Sequence, residues 1–446
     1  MSNRGGSRLP GVGDEREEHI VFHVDMDCFY AACERLREPE LAGEPIVVGM
    51  GYEEGESHGA VATASYEARE HGVESAQAIR KALERLPRND SAEDSGNDSA
   101  GHDTPDTTGY YRPVDIDFYK SVSEDVRAIL YDCADTVREV SIDEAYLDVT
   151  DRTAWKVAEG FARHVKNRIQ REVGVPASVG VAPNMSTAKI ASDYDKPDGL
   201  VVVEPGTVRD FLAPLNVAEI HGVGPVTARE LREMSIETAG DLADADPRAL
   251  ADRFGERGRE LYQRARGDDD REITPRGRPK SLSRESAFTG ATSDSEEKCS
   301  RIETLATAVA ERARDRSAMY RTIGMKVVTP PFDVHTRERS LPGPVDDPEL
   351  VTEIALDLLT EFEDDRVRKV GVRVSNLQFT EIDQTSLDGF DAPGSAKSEG
   401  EASPGELTPT ESDDEDDGAE TGETETQKFE TETENSHSGQ VSLSDF

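Results

Sequence analysis

The sequence has no apolar run near the ~18 residues that span a bilayer, so no membrane-crossing helix is expected. Its opening stretch, MSNRGGSRLPGVGDEREEH, lacks the apolar core of a signal peptide. Cysteine is scarce: Cys28, Cys33, Cys133 and Cys299 form no CxxC pair. That argues against a zinc module and a disulfide scaffold and fits a reduced, cytoplasmic compartment. Positive charge is short as well. Against 51 Lys+Arg stand 93 Asp+Glu, a formal charge of −42 over 446 residues. Hydrophobic residues make up 35% and charged residues 32%, a balance that predicts an unfolded portion. Much of the acid lies in 89–108, with 6 acids and no base, and in 381–446, with 20 acids and 2 lysines. The remainder is acidic too, and arginine outnumbers lysine. One reading is a protein that avoids polyanions. The other is adaptation to molar salt, where the Debye length falls to about 3 Å and only local patches report on DNA binding.

At roughly 100–200 residues per domain, the length predicts two to four domains. After a flexible leader, 1–19, HIVFHVDMDCFY reads as a buried strand ending in acids. PIVVGM is a second strand, and GAVATASYEAREHG a strand turning into a helix. Residues 89–108 have no apolar periodicity and read as a disordered acidic insertion. Next come helix SVSEDVRAILYDCA, a strand pair around the turn in REVSIDEAYLDVT, a helix at 155–173, strand ASVGVAP, helix MSTAKIASDYDK and strand GLVVV. This α/β (α+β) unit is expected to close one antiparallel sheet backed by helices. Residues 205–267 are helical with glycine punctuation. ITPRGRPKS is a basic linker, and 282–381 read as βαββαβ. The tail to 439 is acidic, poor in apolar residues and expected to be disordered.

Asp25 and Asp27 lie two apart on a strand and share a face. Asp143 and Glu144 sit at the turn in SIDEAY, where both carboxylates can reach one site. Carboxylates with no histidine partner make an oxygen-only site suited to Mg²⁺. A hard-cation pair bridging a triphosphate is the two-metal arrangement for phosphoryl transfer. Either fragment alone reads more simply as a strand end carrying solvated acids.

Taken in order, VDMDCFYAACE, GAVATASYEAREHGV, SIDEAYLD and SVGVAPNMSTAKIASDYDKPDGL closely resemble the Y-family translesion DNA polymerases of the DinB or DNA polymerase IV type. The resemblance covers 20–381 apart from the insertion, and the acidic balance suits a member from a halophilic archaeon. It implies a right hand: a ferredoxin-like palm (20–28 and 113–203), small fingers (29–112), a helix-hairpin-helix thumb (204–270), a linker (271–280) and an α/β little finger (281–380). It implies Asp25, Asp143 and Glu144 as ligands of two Mg²⁺, Glu144 as a catalytic carboxylate, and the Met26 carbonyl as a backbone ligand. Asp27 matches the pattern as a ligand or as a structural acid. Phe29 and Tyr30 would flank the incoming sugar, with Tyr30 the steric gate against a ribose 2′-OH; core packing serves Phe29 equally well. Thr63, Tyr66 and Arg69 match triphosphate-binding positions. The last two are three apart on a helix, hence on one face, and arginine offers phosphate a bidentate fork. Lys196, in DKPDG, matches a phosphate-contacting lysine, and small Ala60 and Ala62 would leave room above the nascent pair. Two places depart from the family: Val114-Asp115-Ile116-Asp117 stand where relatives carry a basic pair, and Gln77 where many have an apolar residue.

HGVGPVTARELREMSI resembles a helix-hairpin-helix element, with Gly222 and Gly224 turning the chain so that helix amides can hold a DNA phosphate. Arg276, Arg278 and Lys280 make the linker locally basic. Arg337, Arg339, Arg366, Arg368, Lys369 and Arg373 lie beside predicted strands, as DNA-backbone contacts or as a solvated face. The chain's tip, Gln440, Leu443 and Phe446 at spacings of three, resembles a clamp-binding peptide. The whole reads as a template-directed, error-prone translesion DNA polymerase. It adds dNTPs to a primer 3′-OH, lacks a proofreading exonuclease, serves DNA repair and damage tolerance, and works as a monomer with primer-template DNA, dNTP and a sliding clamp. One rival is a catalytically inactive DNA-binding clamp adaptor, which intact Asp25, Asp143 and Glu144 argue against. The other is a nucleotidyl cyclase with a related palm, which has no use for a duplex grip.

Overall fold

The computed structural model describes residues 19–53, 55–56, 59–89 and 107–379. The leader, most of the acidic insertion and everything from residue 380 onward, including Gln440, Leu443 and Phe446, lie outside the described residues.

The chain opens with β1 (Val21–Met26), α1 (Phe29–Arg37), β2 (Ile46–Gly49), β3 (Val61–Ala64), α2 (Tyr66–Glu70), α3 (Ile79–Arg85) and β4 (Tyr110–Arg112). It continues through α4 (Ile116–Cys133), β5 (Thr136–Glu139), β6 (Glu144–Asp148), α5 (Trp155–Glu172), β7 (Ala177–Ala182), α6 (Met185–Tyr194) and β8 (Leu200–Val202). The first sheet runs β5-β6-β1-β7-β8, with β1 antiparallel to both neighbours. β7 and β8 pair in parallel, so the sheet is mixed rather than wholly antiparallel. The cause is α6: strands joined by a helical crossover, not a hairpin, can run the same way.

Alternation on β1 builds the rest. Phe22, Val24 and Met26 enter a core with Leu130 of α4 and Ile169 of α5. Val21 joins a separate core with Tyr146 and with Ala188 and Ala191 of α6. His23 and Asp25 share the face of Val21, so they lie under α6. The approach of α6 depends on Gly180, the β7 register partner of His23. A Cβ there would stand 2.0 Å from the Ala188 carbonyl oxygen and 2.4 Å from the Ser192 nitrogen. Asn184 caps α6, its side chain accepting from Thr187 N at 2.9 Å.

A small sheet, β3-β2-β4, carries its own core of Val47, Val61, Ile79, Leu86 and Tyr111. Five helices follow: α7 (Val208–Leu212), α8 (Pro225–Glu233), α9 (Ala239–Asp244), α10 (Pro247–Phe254) and α11 (Glu256–Ala265). The expected βαββαβ unit is present as β9 (Ser281–Thr292), α12 (Ser295–Asp315), β10 (Ala318–Thr329), β11 (Asp333–Val345), α13 (Pro348–Leu359) and β12 (Val367–Ser375), with a short β13 (Gln378–Phe379) beside β10. Its sheet runs β11-β10-β12-β9. Ile302 and Val309 of α12 and Ile354 of α13 cover one face through Ile323, Met325, Val327, Val370, Val372 and Val374. The buried Lys298 fastens α12 to the turn beyond α13, donating to the carbonyls of Phe362, Glu363 and Asp365. Among the described residues no helix is long and apolar enough to cross a membrane. All four cysteines are free.

Candidate active site

The β1–β6 register places Asp25 opposite Glu144, and both are buried. Asp143, one residue before β6, is buried beside them; its carbonyl accepts from Met26 N at 2.9 Å and its carboxylate accepts from the Ser141 hydroxyl. Two strand ends separated by more than a hundred residues thus deliver three acids to one place. The set is not oxygen-only: His23 Nε2 stands 3.2 Å from Glu144 Oε2. His23, Asp25 and Glu144 each present a ligand atom within 4.8 Å of the others, a group able to hold a metal ion. Imidazole and carboxylate together remain a donor set for a divalent cation.

α6 and the turn after it supply the countercharge. Lys189 Nζ lies 2.9 Å from both Asp25 Oδ2 and Glu144 Oε2. Lys196 Nζ lies 2.7 Å from Asp25 Oδ1 and 2.8 Å from Asp193 Oδ1. Burial works against the Asp25 charge, but Lys189 and Lys196 prevail and hold its carboxyl well below the ordinary range. Burial likewise opposes the charge on Glu144, where Lys189 and His23 win and pull it down to about 2. For Asp143 burial and repulsion by Asp25 and Glu144 act together and push it up to about 7. Like charges crowded into one buried site cannot all be ionised cheaply, and Asp143 is the one left without a lysine strong enough to offset the crowding.

Asp27 is otherwise occupied. It accepts from Ser178 Oγ at 2.9 Å, from Asp198 N at 2.8 Å and from Tyr66 OH at 3.4 Å, which fits the structural reading of this acid. Thr63 is buried, and among the described residues its Oγ1 has no hydrogen-bond partner. Arg69 donates Nε to the Ala64 carbonyl at 3.1 Å and lies over the Tyr66 ring at 4.8 Å, so the two share a face as their spacing predicts. Tyr30 stacks on Tyr119, centroids 4.5 Å apart at 18°, and Phe29 is buried against it at 6.2 Å. Tyr119 is itself pinned, its hydroxyl donating to Glu34 at 2.6 Å. The unusual Asp115 caps α4 by accepting from Phe118 N at 3.1 Å and pairs with Arg37 at 2.6 Å. A local structural task thus occupies Asp115, where the family resemblance implies a basic residue.

Gly222 has φ +92° and its carbonyl accepts from Arg257 at 2.7 Å; Gly224 caps α8. Arg276 donates to the Val140 carbonyl at 3.3 Å, Arg278 lies over the Phe379 ring, and Lys280 is exposed. Arg337 and Arg339 pair across β10 with Met325 and Ile323, which face the helices. Accordingly they bind Glu361 and Asp357, at and just beyond α13, instead of standing on the open side of the sheet. Arg368 is exposed and covers the Phe332 ring at 4.4 Å.

Sequence reasoning passed over Lys189, His23 and Tyr119. For Lys189 a signal was present: it is a lone lysine in the run Ala188–Ala191, whose neighbours are small or apolar and buried. A charge there needs a buried partner.

Comparison with known proteins agrees with this geometry. The impB/mucB/samB family matches residues 24–193, its C-terminal domain residues 279–388, and the IMS family HHH motif residues 205–236. A DNA polymerase IV of Halobacterium salinarum is 63% identical over 385 residues, 86% of this chain and 91% of its own. The chain belongs to the Y-family DNA polymerases, of the DNA polymerase IV (DinB) type. A DNA polymerase IV of Methanoculleus marisnigri is 41% identical over 83% of this chain and 98% of its own. Among solved structures, a Y-family DNA polymerase chimera of Dbh and Dpo4 superposes with a TM-score of 0.70 at 28% identity, covering 81% of this chain and 100% of that one. An insertion ternary complex of Dbh DNA polymerase does so with a TM-score of 0.56 over the same shares. The activity is therefore that of a translesion DNA-directed DNA polymerase. Nothing observed favours the clamp adaptor or the cyclase.

Proposed function

We propose that Asp25, Asp143 and Glu144 hold the catalytic divalent cations, two Mg²⁺, beside the Met26 carbonyl, for the addition of a dNTP to a primer 3′-OH. The observation that carries this reading is Glu144 Oε1, a buried carboxylate oxygen with no hydrogen-bond partner among the described residues, placed across from Asp25. An orphaned buried acceptor beside two further carboxylates fits a hard cation. When bound, Mg²⁺ supplies charge stabilisation to the reacting phosphate oxygens. The chain's own residues do the rest. Lys189 and His23 keep Asp25 and Glu144 ionised and aligned. Lys196 beside Asp25, and Tyr66 beside Asp27 with Arg69 over its ring, form the triphosphate cradle, to which Thr63 adds its hydroxyl. Tyr30, backed by Tyr119, excludes the 2′-OH of a ribonucleotide.

In this reading 20–28 with 113–203 is the palm, 29–112 the fingers, 204–270 the thumb, 271–280 the linker and 281–380 the little finger. DNA meets the hairpin at Gly222 and Gly224, the exposed linker cations Arg276, Arg278 and Lys280, and the little-finger face that α12 and α13 leave open. Arg368 approaches from the rim, as do Arg337 and Arg339. The protein acts as a monomer in the cytoplasm, and the peptide Gln440, Leu443 and Phe446 delivers it to a sliding clamp. Titrating Mn²⁺ into the wild type and into Glu144→Gln tests the site directly. Loss of tight binding in the variant is expected, and equal binding by both would refute the ligand assignment.

A further inference from the structure

On β10 and β12 the residues between the core positions face away from α12 and α13: Lys326 and Val328 on one strand, Lys369, Gly371 and Arg373 on the other. One row across this face is Lys326, Gly371 and Glu285, from β10, β12 and β9 in register. Glu285 lies along that row, its carboxylate 3.1 Å from Lys326 Nζ and 2.6 Å from Lys369 Nζ. A Cβ on Gly371 would come within 2.6 Å of Glu285 Cγ. The glycine therefore leaves the groove in which the glutamate side chain rests. The Glu285 side chain is only 12% exposed although, among the described residues, this face carries no helix. One acid thus answers two of the three cations on this part of the sheet.

We propose that Glu285 is an internal rival of the DNA backbone, an anion that must give up Lys326 and Lys369 before phosphodiesters can take them. The inference rests on the reading above that this open face meets DNA. Its consequence is a damped salt response. A lysine that binds a phosphate releases a counterion from the DNA, about 0.9 per contact. When the same lysine leaves Glu285, the freed carboxylate takes up a cation from solution and offsets that release. A grip built this way loses less affinity as KCl rises than one made by unpaired lysines.

The test is binding of a fluorescent primer-template duplex to the full chain, by anisotropy, from sub-molar to molar KCl. Glu285→Gln keeps the shape over Gly371 and removes the charge. It should bind more tightly at the low-salt end, on the order of tenfold, and its log Kd against log[KCl] should steepen by about one to two. The two curves should converge toward molar salt. Glu285→Ala should change slope in the same direction, which guards against a packing artefact in either variant. Lys326→Ala with Lys369→Ala, made in the Glu285→Gln background, should restore the shallow slope. If the lysine changes weaken binding but Glu285→Gln leaves slope and affinity unaltered, Glu285 is no rival and the proposal fails while the DNA face stands. If neither set changes binding, the face does not meet DNA and both readings fall.

Discussion

Tyr30 shows how one residue's task depends on another. A steric gate, the role proposed for Tyr30, works only if its ring cannot swing aside, and the Tyr30 ring is held by the stacked Tyr119, itself hydrogen-bonded to Glu34. Tyr30→Ala should raise the ribonucleotide-to-deoxyribonucleotide incorporation ratio by at least about tenfold, equivalent to about 1.4 kcal/mol in transition-state discrimination. Tyr119→Leu should raise it by a smaller factor with the gate still in place. Single-nucleotide incorporation with rNTP and dNTP measures both, and an unmoved ratio in Tyr30→Ala would reduce this residue to core packing. Lys189 carries a different dependence. It bridges two buried carboxylates, and removing one partner of a buried pair costs about 3–5 kcal/mol because the remaining charge is left uncompensated. Lys189→Met should therefore melt well below the wild type in EDTA. Mg²⁺ should recover more of the loss in the variant than it adds to the wild type, since the ion supplies the missing positive charge. Equal melting of the two proteins in EDTA would contradict the bridging role.

At the scale of elements, α6 places Lys189 over the acids and Ser192 against His23, and Gly180 sets how closely the helix can approach. Gly180→Ala puts a methyl group against helix backbone rather than against a side chain that could rotate. It should destabilise by about 3 kcal/mol or more, at the upper end of overpacking costs. Denaturant melts would register it, and a stability change near zero would mean α6 can shift outward freely. His221, at the hairpin before α8, gives a pH signature. Burial first, then the charges of Arg264 and Arg271, push its pKa down to about 3 from an ordinary 6.5. The unfolded chain therefore takes up the proton first as pH falls, so stability present above pH 6.5 is lost progressively toward pH 3. Melting temperature should drop less steeply with acid in His221→Asn than in the wild type; parallel curves would exclude this residue as a source. Most elements were legible, because periodic segments such as 121–134 and the βαββαβ order are written in alternation and helical spacing. The parallel pairing of β8 was not, since strand direction follows from the path of the crossover and leaves no mark in GLVVV. Nor was the orientation of Arg337 and Arg339: which side of an edge strand faces a helix is a matter of register, and a one-residue shift reverses it. The three acids were found through their motifs, whereas Lys189 and Glu285 matter through partners far away in the chain.

For the whole molecule the formal charge of −42 is the governing fact. A polymerase must hold a polyanion, and here several cations of the proposed DNA and nucleotide sites are met by an internal acid: Lys196 by Asp25 and Asp193, Lys369 by Glu285, Arg339 by Asp357. Such a chain needs dissolved cations to screen its own repulsion, consistent with its 63% identity to the Halobacterium salinarum polymerase. Activity should rise with KCl before it falls, with partial unfolding at low salt seen by circular dichroism. A maximum at low ionic strength with a stable fold there would assign the charge another cause. The measurement closest to the central claim is primer extension on undamaged and lesion-bearing templates in Mg²⁺, comparing the wild type with Glu144→Gln and Asp143→Asn. The account predicts that the wild type extends past the lesion. Both variants should lose more than about 10²-fold in rate, the scale of removing one electrostatic stabiliser, while binding primer-template as the wild type does. Near-normal extension by either variant would contradict it.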